Sequence, residues 1–303
     1  MPTRIPRRDF LVGGAAAAGL FSGCSLPQAS AVHEVPASTA IPAIDVHGHY
    51  GPSRGRQTLS DDIGMDTAAA VRDLAFQANI RWTVCSPLRA LLPRGEADPV
   101  QGNQDAAADV PNTPGLLQYV VVDPLKPETY EQGAEMLKQP HAPGIKIHPE
   151  EHIYPIKEHG RKLFEFAAQH TKVILSHSGE EKSLPADLLA LANDFPQLTV
   201  ILAHLGHSAN TDTKLQVRAI QASKHGNVYV DTSSSKSIRT GLIEMAVREV
   251  GSEKILFGTD TPLYFAPMQR ARIDYADISH ADKENILWNN SVRIFGLTKE
   301  WIQ

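Results

Sequence analysis

Residues 43–49 read A-I-D-V-H-G-H, a short apolar run that ends in two histidines separated by one glycine. Alternate residues of a β-strand share one face, so His47 and His49 would point the same way. Two imidazoles on one face form a ready clamp for a metal ion, although a lone H-x-H pair also arises by chance or at the end of an ordinary strand. Whether this pair binds a metal ion therefore depends on which residues the later strands bring beside it.

Eight short β-branched runs recur along the chain, and the segments between them carry apolar residues at helical spacing. The runs cover residues 43–49, 81–87, 116–123, 144–148, 172–177, 198–204, 227–232 and 254–260. Strands that alternate with helices predict a parallel sheet, and eight such units predict a closed (β/α)8 barrel, the TIM barrel. An open doubly wound sheet is the alternative, but it expects a G-x-G-x-x-G loop after the first strand, and G-H-Y-G at 48–51 lacks that spacing.

The N-terminal residues 1–31 have the features of an export segment. The sequence R-R-D-F-L at 7–11 precedes a weakly apolar stretch at 12–21, which predicts export by the twin-arginine route rather than a short membrane anchor. Two processing sites stay open: cleavage after Ala31 in A-S-A, or lipid attachment at Cys24 in F-S-G-C. We therefore expect a periplasmic or lipid-anchored protein, with a linker at 32–42 and a single barrel domain at 43–303.

Composition limits the classes of partner. The chain of 303 residues has a net charge of −5, and loss of residues 1–31 would remove three arginines and one aspartate, leaving −7. Such a surface lacks the basic stripe that nucleic acid requires, and beyond residue 31 no apolar run approaches the roughly 18 residues that span a bilayer. Outside the export segment Cys85 is the sole cysteine, which excludes an intramolecular disulfide and a C-x-x-C site. The predicted partner is a small-molecule substrate, and a homo-oligomer is compatible with the sequence.

The ends of the predicted strands carry the residues with metal-binding or acid–base chemistry. In a (β/α)8 barrel the chemistry lies at these carboxyl ends, so side chains from several strands would meet there. Imidazole and carboxylate ligands together suit Zn²⁺ first, with Mn²⁺, Fe²⁺ or Ni²⁺ as alternatives. The residues at these ends are His47, His49, Lys146, His148, His177, His204 and Asp260.

Five ordered motifs resemble the amidohydrolase superfamily, and more narrowly its amidohydrolase-related branch of hydrolases and decarboxylases. They are IDVHGHY at 44–50, GIKIHP at 144–149, ILSHSG at 174–179, ILAHLGH at 201–207 and ILFGTDTP at 255–262. The resemblance implies a distorted TIM barrel with a metal ion held by the side chains of His47, His49, His177 and Asp260. It also implies that His204 either binds the metal ion or, in an enzyme with one ion, orients the substrate and polarises its reacting group. Asp260 would shuttle protons in addition to binding the metal.

Several positions keep more than one interpretation. Lys146 stands where binuclear relatives carry a carboxylated lysine, but we expect one metal ion rather than two. We expect this lysine to be unmodified and buried, and either hydrogen-bonded to carboxylates at the base of the pocket or paired with a substrate anion. His148 either lines the pocket or caps its strand. Asp45 either orients a histidine or packs structurally, and His207 is expected to be an ordinary loop histidine. Arg54, Arg56 and Lys236 are candidates by position for binding an anionic substrate, but we expect each of them to be a solvated surface residue.

Two reactions suit this set of residues. The first choice is hydrolysis, in which a metal-activated water attacks an amide, lactone or ester carbonyl and Asp260 moves the proton. The alternative is non-oxidative decarboxylation, in which Asp260 or His204 delivers a proton to carbon. A third hypothesis is an exported barrel that binds metal or ligand without catalysis.

Overall fold

Eight parallel strands hydrogen-bond in chain order and form a barrel. This computed structural model describes residues 36–53, 66–233 and 238–297. The predicted (β/α)8 barrel is confirmed, and each predicted run overlaps one strand, although several strands are shorter than predicted. The strands are β1 (Ala43–Tyr50), β2 (Ile80–Pro87), β3 (Leu116–Val121), β4 (Gly144–Ile147), β5 (Val173–Ser176), β6 (Thr199–Leu202), β7 (Val228–Asp231) and β8 (Ile255–Leu256).

The barrel closes between β8 and β1 in an irregular way. Because β8 contains only Ile255–Leu256, the residues that follow it complete the contact with β1. The amide of Val46 donates to the carbonyl of Phe257 at 2.9 Å, and the amide of Asp260 donates to the carbonyl of His47 at 2.7 Å. This seam fixes the loop after β8 directly beside the histidines of β1.

Helices cover the outside of the barrel, and local sequence signals define where they begin. For example, Asp98 caps one helix by accepting from the amide of Gln101, and Pro99 is the first residue of that helix. The α-helices are α1 (Ala68–Gln77), α2 (Pro99–Asp109), α3 (Glu128–Met136), α4 (Ile156–His170), α5 (Pro185–Asp194), α6 (Leu215–Gln221), α7 (Leu242–Val250), α8 (Ala266–Asp274), α9 (His280–Glu284) and α10 (Asn290–Phe295), with a π-helical turn over Asn285–Asn289. Short 3-10 helices lie at Ala37–Ala40, Leu88–Ala90, Val110–Asn112, Glu181–Ser183 and Ser252–Lys254.

The side chains of each strand alternate between the barrel lumen and the helical layer. On β5, Val173 and Leu175 belong to the cluster that fills the lumen, whereas Ile174 packs under the helices. The same alternation directs His177 toward the lumen two residues beyond Leu175. Strand β4 places Lys146 in the lumen, because its neighbours on both sides pack outward.

Strand β1 contains an irregularity that the sequence pattern did not predict. Its pairing register with β2 shifts between Asp45 and Gly48, as it does in a β-bulge. Ile44 and Val46 pack in the apolar cluster that fills the lumen. Strict alternation would turn the next residue, His47, toward the helices, but with the bulge His47 also lines the pocket. Gly48 is required here, because a Cβ atom at this position would lie 2.3 Å from Cγ2 of Thr83.

The segment before β1 contacts the end of the barrel at which the strands begin, opposite the cavity. Residues 36–42, assigned to the linker from the sequence, include the 3-10 helix Ala37–Ala40. The buried guanidinium of Arg270 donates to the carbonyls of Ser38 at 2.7 Å and Ile41 at 2.8 Å, and it pairs with Asp274. The described part of the chain thus begins at the face opposite the carboxyl ends of the strands. Within that part, none of the helices has both the length and the apolar character to cross a membrane.

Candidate active site

The two histidines of β1 are each fixed through Nδ1. His47 Nδ1 lies 2.8 Å from Oδ2 of Asp231, and His49 Nδ1 lies 3.0 Å from the carbonyl oxygen of Ser86. A carbonyl oxygen only accepts, so His49 Nδ1 donates and its Nε2 carries a lone pair when the ring is neutral. Both Nε2 atoms face Asp260 Oδ1, at 3.4 Å from His47 and 2.9 Å from His49. Two imidazole nitrogens and a carboxylate oxygen thus converge, an arrangement that a shared cation stabilises.

Asp260 is a buried carboxylate held in its ionised form. Burial opposes ionisation, but the electrostatic interaction with His47 and the close contact with His49 outweigh it and keep the Asp260 pKa well below its usual range. Its backbone has a left-handed φ of 60°, which turns the carboxylate back toward β1. The resting site therefore contains a proton acceptor between its two histidines.

Lys146 lies under this group of residues and is fully buried. Its Nζ is 2.8 Å from His47 Nε2, the same nitrogen that faces Asp260. Burial lowers the pKa of Lys146 to about 8, although the nearby carboxylates Asp260 and Asp231 oppose the shift. The partner seen is an imidazole rather than a carboxylate. A cation bound at His47 Nε2 would therefore displace this ammonium group.

Asp231, the last residue of β7, connects two of the pocket histidines. Its Oδ2 accepts from His47, and its Oδ1 accepts from the backbone amides of His204 at 2.9 Å and Ser233 at 3.0 Å. Burial would raise the pKa of Asp231, but the charge of His47 and its hydrogen bond prevail and lower it. The side chain of Ser233 lies 2.7 Å from His204 Nδ1. This carboxylate therefore fixes the orientation of His47 and the position of His204 together.

His204 has the properties of a neutral polar group in the pocket. Burial lowers its pKa well below the ordinary value. Its ring stacks on His47 with a centroid distance of 4.9 Å, and its backbone adopts a left-handed φ of 72°. Because Nδ1 faces Ser233, Nε2 is the nitrogen left for a ligand.

His177 lies in the same pocket but turns to another partner. Its Nε2 is 2.8 Å from Oε2 of Glu180, and the same Oε2 lies 3.8 Å from His207 Nε2. His148 stacks on His177 with a centroid distance of 4.3 Å. Of the four predicted metal ligands, the structure brings His47, His49 and Asp260 together and places His177 in a second group of donors with Glu180 and His207.

A cavity of about 260 Å³ opens above these residues. Its lining combines polar side chains with leucines of the loops after β2 and β8 and a tyrosine. The lining residues are His47, His49, His148, His177, His204, His207, Glu151, Glu180, Asp260, Leu88, Leu91, Leu92, Leu263 and Tyr264. The site therefore suits a small ligand that has one apolar face and one polar edge.

Two interpretations of single residues can now be judged against the structure. Asp45 does not contact a histidine ring; its Oδ1 accepts from the backbone amides of His47 and Thr259, both at 3.0 Å, so its role is structural. The bulge in β1 explains this, because strict alternation does not hold beyond Asp45. His207, which we interpreted as an ordinary loop histidine, is 6% exposed and lines the cavity.

Some predicted residues lie outside the described part of the chain, and two residues of the site were not predicted. Arg54, Arg56 and Lys236 lie outside the described residues, as does the export segment with Cys24. Sequence reasoning missed the contributions of Asp231 and Glu180. Asp231 could have been found as the one acid at the end of the seventh run, whereas Glu180 lies three residues beyond His177 in a loop and had no positional signal.

Comparison with known proteins identifies related sequences and structures. The family model described as "Amidohydrolase" matches residues 44–297. A gamma-resorcylate decarboxylase from Polaromonas sp. strain JS666 is 28% identical over 124 residues, which is 36% of this chain and 37% of that protein. The match thus spans little more than a third of the relative.

Solved structures with the same fold include two decarboxylases. The 2,6-dihydroxybenzoate decarboxylase from Rhizobium has a TM-score of 0.66 and 14% identity over 84% of this chain and 98% of that one. A dihydroxybenzoic acid decarboxylase from Polaromonas sp. JS666, with bound manganese and the inhibitor 2-nitroresorcinol, has a TM-score of 0.62 and 16% identity over 84% and 97%. At these identities the likeness establishes the fold.

Proposed function

Because the chain belongs to the amidohydrolase family, we propose that it is a metal-dependent decarboxylase acting on a small hydroxylated aromatic carboxylate. The observation that carries this proposal is the composition of the cavity, whose lining combines leucines with the donor group of His47, His49 and Asp260. The decarboxylase activities of the relatives named above support it. The proposal departs from the sequence-based preference for hydrolysis.

The size of the cavity supports a single aromatic ring as the substrate. An apolar cavity of about 150 Å³ accommodates benzene, so about 260 Å³ leaves room for one ring with its polar substituents. Leu88, Leu91 and Leu92 would contact the ring face. The carboxylate and a neighbouring hydroxyl would then point to the polar side chains of the lining.

Two imidazoles and one carboxylate suit a divalent ion such as Zn²⁺ or Mn²⁺. When bound, such an ion supplies the positive charge that orients the substrate's oxygen atoms and stabilises negative charge in the transition state. Zinc is the ion expected from the sequence, and the bound manganese of a solved relative supports manganese as the alternative. We propose that His47, His49 and Asp260 hold the ion.

Proton transfer would be carried out by Asp260. Because it is ionised at rest, it can accept the proton of a substrate hydroxyl and return it to the ring carbon that bears the carboxylate. The new C–H bond takes an electron pair from the ring, and the pair of the breaking C–C bond restores aromaticity as CO2 leaves. His204, which is neutral, would donate or accept a hydrogen bond at the substrate's polar edge.

Hydrolysis of a neutral ester or lactone is the second candidate, because of the charge of the pocket. The cavity lining within the described residues contains the carboxylates Glu151, Glu180 and Asp260 but no lysine or arginine. A neutral carbonyl substrate would not need a cationic partner in this lining. The same Asp260 would then accept the proton of the attacking water.

Separate incubation with 2,6-dihydroxybenzoate and with aryl lactones distinguishes the two reactions. We expect manganese- or zinc-loaded protein to release CO2 from the carboxylate, to incorporate deuterium from D2O at the vacated carbon, and to lose both with Asp260→Asn. Metal-stripped protein is the control. Lactone opening without CO2 release would overturn the proposal in favour of hydrolysis. A metal-binding protein that turns over neither class would instead support a binding role.

We also propose that the protein is exported by the twin-arginine route. Support comes from the R-R-D-F-L sequence at 7–11. Changing Arg7 and Arg8 to lysine should retain the protein in the cytoplasm, as measured by fractionation. Unchanged export of this variant would contradict the proposal.

A further inference from the structure

One arginine of the loop after β2 lies at the rim of the cavity. Arg94 is two residues beyond Leu92, which lines the cavity, and its side chain is 54% exposed. Its Nη2 and Nε atoms lie 3.0 Å and 3.3 Å from Oε1 of Glu151, which also lines the cavity. We propose that Arg94 binds the carboxylate group of an anionic substrate at this rim. This role rests on the decarboxylation proposed above.

The contact with Glu151 leaves part of the guanidinium group open to a ligand. A guanidinium has five N–H donors, and Arg94 donates from Nε and Nη2 to the single oxygen Oε1. Its Nη1 atom donates to none of the residues that the structure describes. Nη1 and Nη2 together present two parallel N–H groups, the geometry in which arginine binds a carboxylate through two hydrogen bonds. A substrate carboxylate can therefore bind to Arg94 while Glu151 stays in place.

The main chain fixes the loop that carries Arg94. The amide of Gly95 donates to the carbonyl of Glu151 at 2.8 Å, which joins the loops after β2 and β4 directly beside the ion pair. Earlier in the same loop, the carbonyl of Ala90 accepts from Nε2 of His152 at 2.9 Å. Binding of a ligand to Arg94 therefore needs little ordering of the main chain, which keeps the entropic cost of binding small.

The charge of Arg94 compensates for the acidic lining of the cavity. Within the described residues this lining contains Glu151, Glu180 and Asp260 but no lysine or arginine. The hydrogen bond with Glu151, together with the charges of Glu151 and Glu180, raises the pKa of Arg94, so its guanidinium lies within electrostatic range of two of these carboxylates. The carboxylates repel an approaching anion, whereas Arg94 attracts it. Because an exposed ion pair is weak, Arg94 can share its charge with a second carboxylate at small cost.

A charged and a neutral ligand of nearly the same shape test this role without turnover. Benzoate and nitrobenzene form such a pair, and neither has the hydroxyl group that the proposed decarboxylation uses. Full-length, metal-loaded protein is titrated with each ligand, and binding is followed by calorimetry and NMR. We expect Arg94→Gln to weaken benzoate binding by about tenfold, as loss of a charge-assisted hydrogen bond does, and to leave nitrobenzene binding unchanged. The difference should shrink at about 1 M salt, where exposed charges are screened.

The matched control is Arg161, an exposed arginine of α4 whose Nη1 lies 3.0 Å from Oδ2 of Asp194. Arg161→Gln should bind both ligands as the unchanged protein does. Absence of benzoate binding in the unchanged protein, or the same benzoate affinity in Arg94→Gln, would overturn the proposal and leave Arg54 and Arg56 as candidates. Equal weakening of both ligands would also overturn it, because Arg94 would then have a structural role. No reaction is followed, so missing CO2 release would refute the proposed decarboxylation without changing the benzoate result.

Discussion

Replacing Asp231 with asparagine should invert the proton position on His47. Asp231 Oδ1 accepts from two backbone amides, so an asparagine oxygen would keep that position. Its Nδ2 would then replace the oxygen that lies 2.8 Å from His47 Nδ1. An amide NH2 group only donates, so it would favour an accepting His47 Nδ1 with the proton on Nε2, against the Ser233 hydroxyl, which lies 3.0 Å from Nδ1 and is the one acceptor left there among the described residues. In that form Nε2, which faces Asp260, would no longer be a ligand.

The expected loss of metal affinity in Asp231→Asn follows from the role of residues that hydrogen-bond to a metal ligand. Loss of a residue that orients a metal ligand typically reduces metal affinity by about 10–100-fold, which corresponds to roughly 1.4–2.7 kcal/mol. The fold should be affected little, since both amide contacts survive. We therefore expect weaker metal binding at a melting temperature within a few degrees of the unchanged protein.

Chelator competition measures the affinity, and thermal unfolding of the metal-free protein measures the stability. Asp123→Asn is the matched control, because Asp123 also follows a strand and accepts from a backbone amide, that of Leu125 at 2.9 Å. This control should bind metal normally. Affinity of Asp231→Asn within about twofold of the unchanged protein would refute the assignment of the His47 tautomer and the role of its partner.

Three further predictions concern the stability of the barrel and the binding of substrate. Burial raises the pKa of Asp45 from 3.8 to about 8, so the stability that its protonated form contributes is complete below pH 4 and is lost as the pH rises through 8. Urea unfolding should therefore show the unchanged protein losing stability relative to Asp45→Asn between pH 5 and 8, by at most roughly 1.4 kcal/mol per pH unit; parallel pH curves would contradict this. Gly48→Ala should destabilise the fold by about 1–3 kcal/mol through the clash with Thr83, and adding Thr83→Ser, which removes the clashing methyl group, should restore much of the loss in the same assay. Leu91→Ala should raise KM for an aromatic acid by roughly tenfold with a smaller change in kcat, and an unchanged KM would remove Leu91 from the ring-binding wall.

The barrel could be predicted from the sequence because its signals are local and repeated. Each β-branched run has the length of a strand, and the polar residue at its end marks the pocket face. The same local signals located His47, His49, His204 and Asp260. They placed these residues at one end of the barrel, but they did not determine which histidine nitrogen contacts which carboxylate oxygen.

The remaining features depend on loop geometry and on contacts between distant segments. The bulge in β1 cancels strict alternation, which is why Asp45 binds backbone amides rather than a ring. The pairing of His177 with Glu180, and the approach of His207, depend on two loops that meet through Gly179. Nothing in the spacing of these residues indicates that contact.

The anchoring of residues 36–42 by Arg270 has a practical consequence. The described chain enters the barrel at the face opposite the cavity, so a fusion partner, affinity tag or solid support joined directly at residue 36 would lie at the end where the strands begin. The two ends of the barrel thus serve separate purposes, one for attachment and the other for entry and exit of small molecules. Protein immobilised directly through residue 36 would keep the cavity toward the solution.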